Sequence, residues 1–344
     1  LKIITDAEEW NQTAGLHHEG LFLQSHEHRQ LYEDLGQKTW LLQKGPVSSL
    51  VTKIEARRGT FFFLPYGPIL AEGAGLEDVQ AFFEELKALA VQEGAAFIRV
   101  SPYWEDSEEN SALLKKAGFK KAPIHMLAET LWVLDLKDKE EEELMQGMEK
   151  KHRNLVRRAA KDGVVIKKTT DQAAIDRFWE LYAETAKRHS FTPYPKKLLK
   201  GQLDIFSKDD QTMMLEAHYN GQVLASAMIM YYGNGAAYHH GASSSNPEYR
   251  KIPASYLLQW EAIKEARERG MKHYNFWGVA PYSLDETGKR VYANPKHPFC
   301  GITHFKTGFG GDRFDLVPCH DLVINPKYYL NWAVETARKW KRGF

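Results

Sequence analysis

The chain has 344 residues, a formal net charge of +1 and the composition of an ordinary globular protein rich in aromatic residues. A near-neutral balance excludes a global positive field for nucleic acid and leaves only local basic patches for that role. The length exceeds what one core usually covers, so two domains are expected. Cysteine is sparse, Cys300 and Cys319 only. No disulfide framework is indicated, and a reducing cytoplasm is the simplest compartment. The opening "LKIITDAEEW" has no signal-peptide pattern. No apolar run approaches the roughly twenty residues that span a bilayer, so any membrane contact is expected from the surface.

In chain order, "KTWLLQ" and "SSLVTKIEA" predict neighbouring strands, and "TFFFLPYGPIL" a buried strand closed by a proline turn. "LEDVQAFFEELKALAVQEGA" places apolar residues at helical spacing and ends near a glycine, which predicts an amphipathic helix. "AFIRVSP" is a core strand stopping at Pro102; "NSALLKKAGFKKAP" is a short helix, a cap at Gly118 and an aromatic-led strand. "ETLWVLDL" opens a second segment as a strand. One long helix is expected over 137–163, acidic at its start and basic at its end, an order that suits the helix dipole. Its cations form either a solvated face or an anion-binding surface.

"VVIKK" follows as a strand, then a helix capped by Asp171. A three-stranded meander is expected next, turning at Asn220-Gly221 and at Gly233-Asn234-Gly235. The helix after it starts at Pro253 and ends at Gly270; "KHYNFWGV" is the strand that follows, and the last segment is an amphipathic helix with a basic end. Each half alternates strands and helices, so the fold class is α/β (α+β), with two related units. In "THFKTGFGG", Lys306 has two readings: its stem lies along apolar surface with the ammonium in water, or the ammonium faces a developing negative charge in a cleft.

The stretch "PEYRKIPASYLLQWEAIKEARERGMKHYNFWG" runs loop, helix, glycine, strand, and resembles the core of the GNAT acyltransferase fold. In that superfamily the loop before the helix cradles the pyrophosphate of coenzyme A with backbone N–H groups. Here the key glycine position holds Pro253, which has no N–H to give. An acyltransferase architecture without that loop implies another acyl donor.

Four segments resemble the Fem family, the aminoacyl-tRNA-dependent transferases that build peptidoglycan cross-bridges: "KKHRNLVRRAAKDGV", "QWEAIKEARERGMKHYNFWGV", "HPFCGITHFKTGFGG" and "LPYGPIL". The resemblance covers nearly the whole chain and implies two GNAT-like domains in tandem, mixed sheets flanked by helices. It places the first at 1–128, completed by 318–344, and the second at 129–317. It implies a charged tRNA as donor, an amine on the stem peptide of a peptidoglycan precursor (UDP-linked or lipid-linked) as acceptor, and no cofactor. A lipid-linked acceptor would bring the chain to the inner face of the membrane.

By the same resemblance Lys306 stabilises the oxyanion or the leaving ribose oxygen, and Phe305 shapes the pocket. Gly308, Gly310 and Gly311 let backbone approach the tRNA acceptor arm; Tyr238, Arg188 and Tyr194 are candidate substrate contacts; Lys151, Arg153 and Arg157, together with the C-terminal "ARKWKRGF", are candidate tRNA contacts. The chain departs from the family at the positions that hold the diphosphate of the soluble precursor, which match Tyr32 and Tyr194, and at a family Asp, which matches Ser101. It also has no room between Asp171 and Gln211 for a coiled-coil arm.

No Cys/His spacing matches a zinc site, and the pairs His17-His18 and His239-His240 would each point to opposite faces of a strand. Cys300 is read as a small buried residue rather than a nucleophile. The alternatives to a cell-wall transferase are a nonenzymatic module that holds tRNA or a cell-wall peptide, and tRNA-dependent transfer to a non-cell-wall acceptor. An ordinary coenzyme A acyltransferase is disfavoured by Pro253.

Overall fold

The structure, a computed structural model, describes all residues except 14, 17–19, 190, 293, 296, 298 and 343–344. The fold is mixed α/β, with two principal mixed sheets flanked by helices. The chain divides into two compact units: Leu1–Leu131 with Pro281–His297 and Phe314–Phe344, and Trp132–Ala280 with Pro298–Arg313.

In the first unit the strand Ala95–Pro102 is buried along its whole length. It runs parallel to Gly59–Tyr66 on one side and antiparallel to His320–Val323, from the C-terminal segment, on the other. The helix Leu76–Gln92 buries Val79, Phe82, Phe83 and Leu86 in one cluster with Phe62, Leu64, Ile98 and Val100 of the sheet. Each such side chain contributes about 1.5–3 kcal/mol by leaving water. Also buried in this unit is a charge cluster. Arg99 meets Asp321 through Nε and Nη2 at 2.7 and 2.8 Å, and Glu335 through Nη2 at 2.8 Å.

In the second unit the meander forms as expected, with Thr212–Tyr219, Gln222–Tyr232 and Gly235–Ser243 antiparallel in sequence. Asn220 and Gly221 both take positive φ, 47° and 76°, as a two-residue hairpin turn requires. The next strand, His273–Gly278, lies parallel to Gly235–Ser243, with the helix Ala254–Glu268 as the crossover.

The single long helix expected over 137–163 is corrected. There are two, Glu141–Gly147 and Lys150–Lys161, with Met148 extended between them (ψ 154°). The break is held by hydrogen bonds that helix continuation would forbid. Glu149 N donates to Gly308 O at 2.9 Å, and the Arg153 guanidinium donates to Gln146 O at 2.7 Å and Met148 O at 2.6 Å. Lys150 and Lys151 therefore begin a helix, where the dipole opposes them, instead of lying within one. The helices Lys196–Phe206 and Cys300–Thr307 were not foreseen.

Candidate active site

The parallel strands Gly235–Ser243 and His273–Gly278 pair only from Gly235–His273 to Ala237–Asn275. Beyond that, both leave regular geometry. On the first, the register with Gln222–Tyr232 shifts, so that Tyr238 faces Ile229, His240 faces Met228 and His239 is the extra residue of a β-bulge. On the second, Trp277 takes φ 67°, an outlier for a bulky side chain, and its N–H donates to Asn275 Oδ1 at 2.8 Å. Strain of this kind, about 1–3 kcal/mol, collects at functional sites.

The short helix Cys300–Thr307 is tied to the end of the second strand. Ala280 N donates to Thr303 Oγ1 at 2.9 Å, and that hydroxyl donates to Phe299 O at 2.7 Å. This fixes Lys306. Its side chain is only 5% exposed, and Nζ donates to Gly278 O, the carbonyl just after Trp277, at 2.6 Å. Among the described residues no carboxylate pairs with it, and burial pulls the ammonium down to about 7. The reading in which the ammonium sits in water is thus excluded: this lysine lies inside, beside a strained strand end.

Phe305 is half-buried. Its carbonyl accepts from His152 Nε2 at 3.0 Å, and its ring meets Tyr256 and Phe309 edge-on at 5.2 and 5.3 Å. The His152 ring closes this aromatic cluster, 5.0 Å from both Tyr256 and Phe309. It fits because residue 308 is glycine: a Cβ there would stand 1.9 Å from His152 Cε1. At Gly310 (φ +88°) a Cβ would lie 3.2 Å from Gly147 O, and at Gly311 2.5 Å from Val133 O. The close approaches these glycines permit are to the protein's own groups.

Tyr238 is half-buried at the strand divergence, with its hydroxyl over Gly241, where any side chain would collide with it. Desolvation pushes its phenol up to about 12. The expectation that His239 and His240 face opposite sides is corrected. Their ring centroids are 3.9 Å apart, because the bulge at His239 breaks the alternation. Gln202 joins them: its amide nitrogen donates to His239 Nε2 at 3.0 Å, and its oxygen accepts from His240 Nε2 at 3.1 Å. Burial lowers His240 to about 3, so it stays neutral. The His239 ring lies 5.3 Å from Trp277, and Tyr194, half exposed, packs edge-on 5.3 Å from His240.

Arg188 is exposed and holds the end of the strand Gly235–Ser243, donating to Ser243 Oγ at 3.0 Å and Ser245 Oγ at 2.6 Å. Arg153 caps the preceding helix and is committed to carbonyls. Arg157 shares a shallow depression with Glu141 and Glu142, whereas Lys151 opens on another with Lys150 and Arg158. Cys300 is half-buried, not fully buried as expected. Among the described residues no group of His, Cys, Asp or Glu is arranged to hold a metal; His17 and His18 lie outside the described residues.

Sequence reasoning passed over His152, Gln202 and Trp277. Two of them carried a signal, a polar residue on an apolar helical stripe: His152 with Val156 and Ala159, and Gln202 with Leu199, Leu203 and Phe206.

The buried lysine thus stands beside the strained end of the strand to which the crossover helix leads. Residues 146–286 match the acetyltransferase (GNAT) domain model, and with the relatives below this makes the chain an aminoacyltransferase. More particularly, the chain is homologous to a lipid II:glycine glycyltransferase of Staphylococcus haemolyticus, 25% identical over 83% of this chain and 82% of that protein. Its fold is that of FemX, with a TM-score of 0.79 at 17% identity, covering 97% of this chain and all (100%) of that one. A tandem GNAT protein from the clavulanic acid pathway superposes more loosely, with a TM-score of 0.52 at 12% identity over 84% of this chain and 83% of that one.

Proposed function

We propose that the protein transfers an aminoacyl group from a charged tRNA to an amine on the stem peptide of a lipid-linked peptidoglycan precursor. One observation carries the chemistry: a buried lysine with, among the described residues, a single carbonyl partner, beside the end of a strained strand. A lysine buried without a carboxylate weakens the fold, which argues against a module that only binds. The acceptor assignment draws on the homology to enzymes named for lipid II, and on Tyr32 and Tyr194 standing where the soluble precursor's diphosphate would need cations.

The acceptor amine attacks the ester carbonyl of the aminoacyl-tRNA. The N–C bond forms, the carbonyl oxygen becomes an oxyanion, and the ester C–O bond then breaks. The proton lost by the amine ends on the ribose oxygen, so the tRNA leaves as an alcohol. Lys306, as ammonium, stabilises the oxyanion or protonates the leaving oxygen. One such donor is worth about 3–4 kcal/mol in the transition state. Phe305 and Tyr238 wall the site, and the exposed Lys150 and Lys151 provide the electrostatic contact for tRNA phosphates.

The test is transfer of a labelled amino acid from a mixed charged-tRNA pool to lipid-linked and UDP-linked precursors offered in parallel. Label in the lipid-linked precursor, lost with Lys306→Met, is the expected result. Label in the soluble precursor alone would reverse the acceptor assignment. Label in neither, with tRNA still bound, would favour a binding module.

A further inference from the structure

The C-terminal helix Tyr328–Arg342 is packed the wrong way round for a helix that serves only its own core. Its inward side joins one buried ring to polar groups: Tyr328 packs in the apolar cluster with Phe61 and Phe97 while its Oη donates to Asp321 Oδ2 at 3.2 Å, Asn331 Nδ2 donates to Glu335 Oε1 at 3.0 Å, and Glu335 accepts from Arg99. Its outward side is apolar and aromatic. Tyr329 is 52% exposed, Leu330 63%, Trp332 42% and Trp340 82%. At 100° per residue, positions 329, 333, 336 and 340 form one stripe, with Ala333 and Thr336 between the rings. Single exposed apolar residues are ordinary; a tryptophan-bearing stripe along one helix is not.

The charges around the stripe are of one sign. Lys327, Arg338, Lys339 and Lys341 are exposed on or beside the helix, and Lys120 reaches within 5.9 Å of the Tyr329 ring. The helix carries one carboxylate, Glu335, and it is turned inward onto Arg99. The outward side of the helix thus combines indole and phenol rings with cations, and the helix's own carboxylate is not on it.

We infer that this face docks on an anionic phospholipid bilayer. Trp and Tyr rings settle at the headgroup boundary, lysine and arginine stems lie along the acyl edge while their charges meet lipid phosphates, and a helix of about 22 Å lies in the plane of the interface. A protein partner built for the same face would offer carboxylates to these cations one by one. A charged bilayer meets all of them at once, whatever their rotamers.

The inference is independent of the acceptor proposed above, because the test uses vesicles that carry no precursor. The full chain is sedimented with vesicles of phosphatidylcholine alone and of phosphatidylcholine mixed with phosphatidylglycerol. It should pellet with the mixed vesicles, far less with the neutral ones, and less as salt rises. Trp332→Ser/Trp340→Ser should weaken the partition about tenfold or more with an unchanged melting temperature. Trp340→Ser alone and Lys339→Gln/Lys341→Gln should each weaken it in part, which keeps the test valid if the double variant misfolds. Wild type left in the supernatant with both vesicle types would overturn the inference. So would undiminished binding by these variants, or a wild-type dimer that the tryptophan variant converts to monomer, since a second copy would then cover the face.

Discussion

Among the described residues each unit buries one Lys or Arg side chain, and the two are treated in opposite ways. Arg99 in the first is 1% exposed and carries two carboxylates, Asp321 and Glu335. Burial alone would lower its pKa; the hydrogen bonds it donates to those carboxylates outweigh that and raise it. Lys306 in the second is as well buried but has one carbonyl, and burial wins. Charge burial costs several kcal/mol unless pairing offsets it. Where it is offset, the group is architecture, here the anchor of the C-terminal helix. Where it is not, stability has been given up at one place, as catalytic sites commonly do.

The contrast can be broken at either end. Arg99→Met strands two buried carboxylates and should cost about 3–5 kcal/mol, read as a large fall in denaturation midpoint. A midpoint within error of wild type would mean the cluster is incidental. Lys306→Met should do the reverse: transfer falls about 100- to 1000-fold while stability at neutral pH is kept or raised.

The pH dependence of Lys306 sharpens this. Below about pH 7 both folded and unfolded chains hold its proton, and the burial cost is full. Between about 7 and the unperturbed 10.5 the folded chain has released a proton that the unfolded chain keeps. The contribution of Lys306 to stability therefore rises with pH over that window, and the melting temperature of wild type should gain on that of Lys306→Met. Activity should move oppositely, with kcat/KM falling above about pH 7 as the ammonium is lost. A constant difference in melting temperature across the window would show that the lysine is not desolvated.

A smaller effect probes how Lys306 is positioned. Gly308→Ala drives a Cβ into the His152 ring, 1.9 Å from Cε1, and so strains the bond from His152 to Phe305 O. Overpacking of this kind costs about 1–3 kcal/mol. The second change His152→Ala makes room and should restore part of the stability. If the double variant is no more stable than Gly308→Ala, the glycine is required for another reason.

Much of the fold was legible because periodicity and turn chemistry are local. The meander announced itself through Asn220-Gly221, and the crossover helix through Pro253 and Gly270. The break at Met148 was not legible, since the groups that hold it, Gly308 O and Arg153, act across a gap in sequence or against helix propensity. Lys306 could be singled out by its setting among glycines, yet its burial depends on Gly278, 28 residues away. The paired faces of His239 and His240 followed from a bulge, which a strict two-residue alternation cannot represent. The outward apolar stripe of the last helix looked like ordinary amphipathicity, because a moment has no sign until the core is located.

The least costly substitutions separate the two roles of surface cations in the second unit. Arg153 is bound to backbone carbonyls, whereas Lys150 and Lys151 are exposed. Lys150→Gln/Lys151→Gln should leave the melting temperature alone and weaken tRNA binding modestly. The slope of log affinity against log salt should flatten by about one for each lysine that meets a phosphate. Arg153→Gln should instead lower stability by freeing Gln146 O and Met148 O, with any change in tRNA binding following from the helix break it no longer holds. An unchanged slope in the lysine pair would move the tRNA contact off this helix. An unchanged melting temperature in Arg153→Gln would return that arginine to the set of ligand-facing cations.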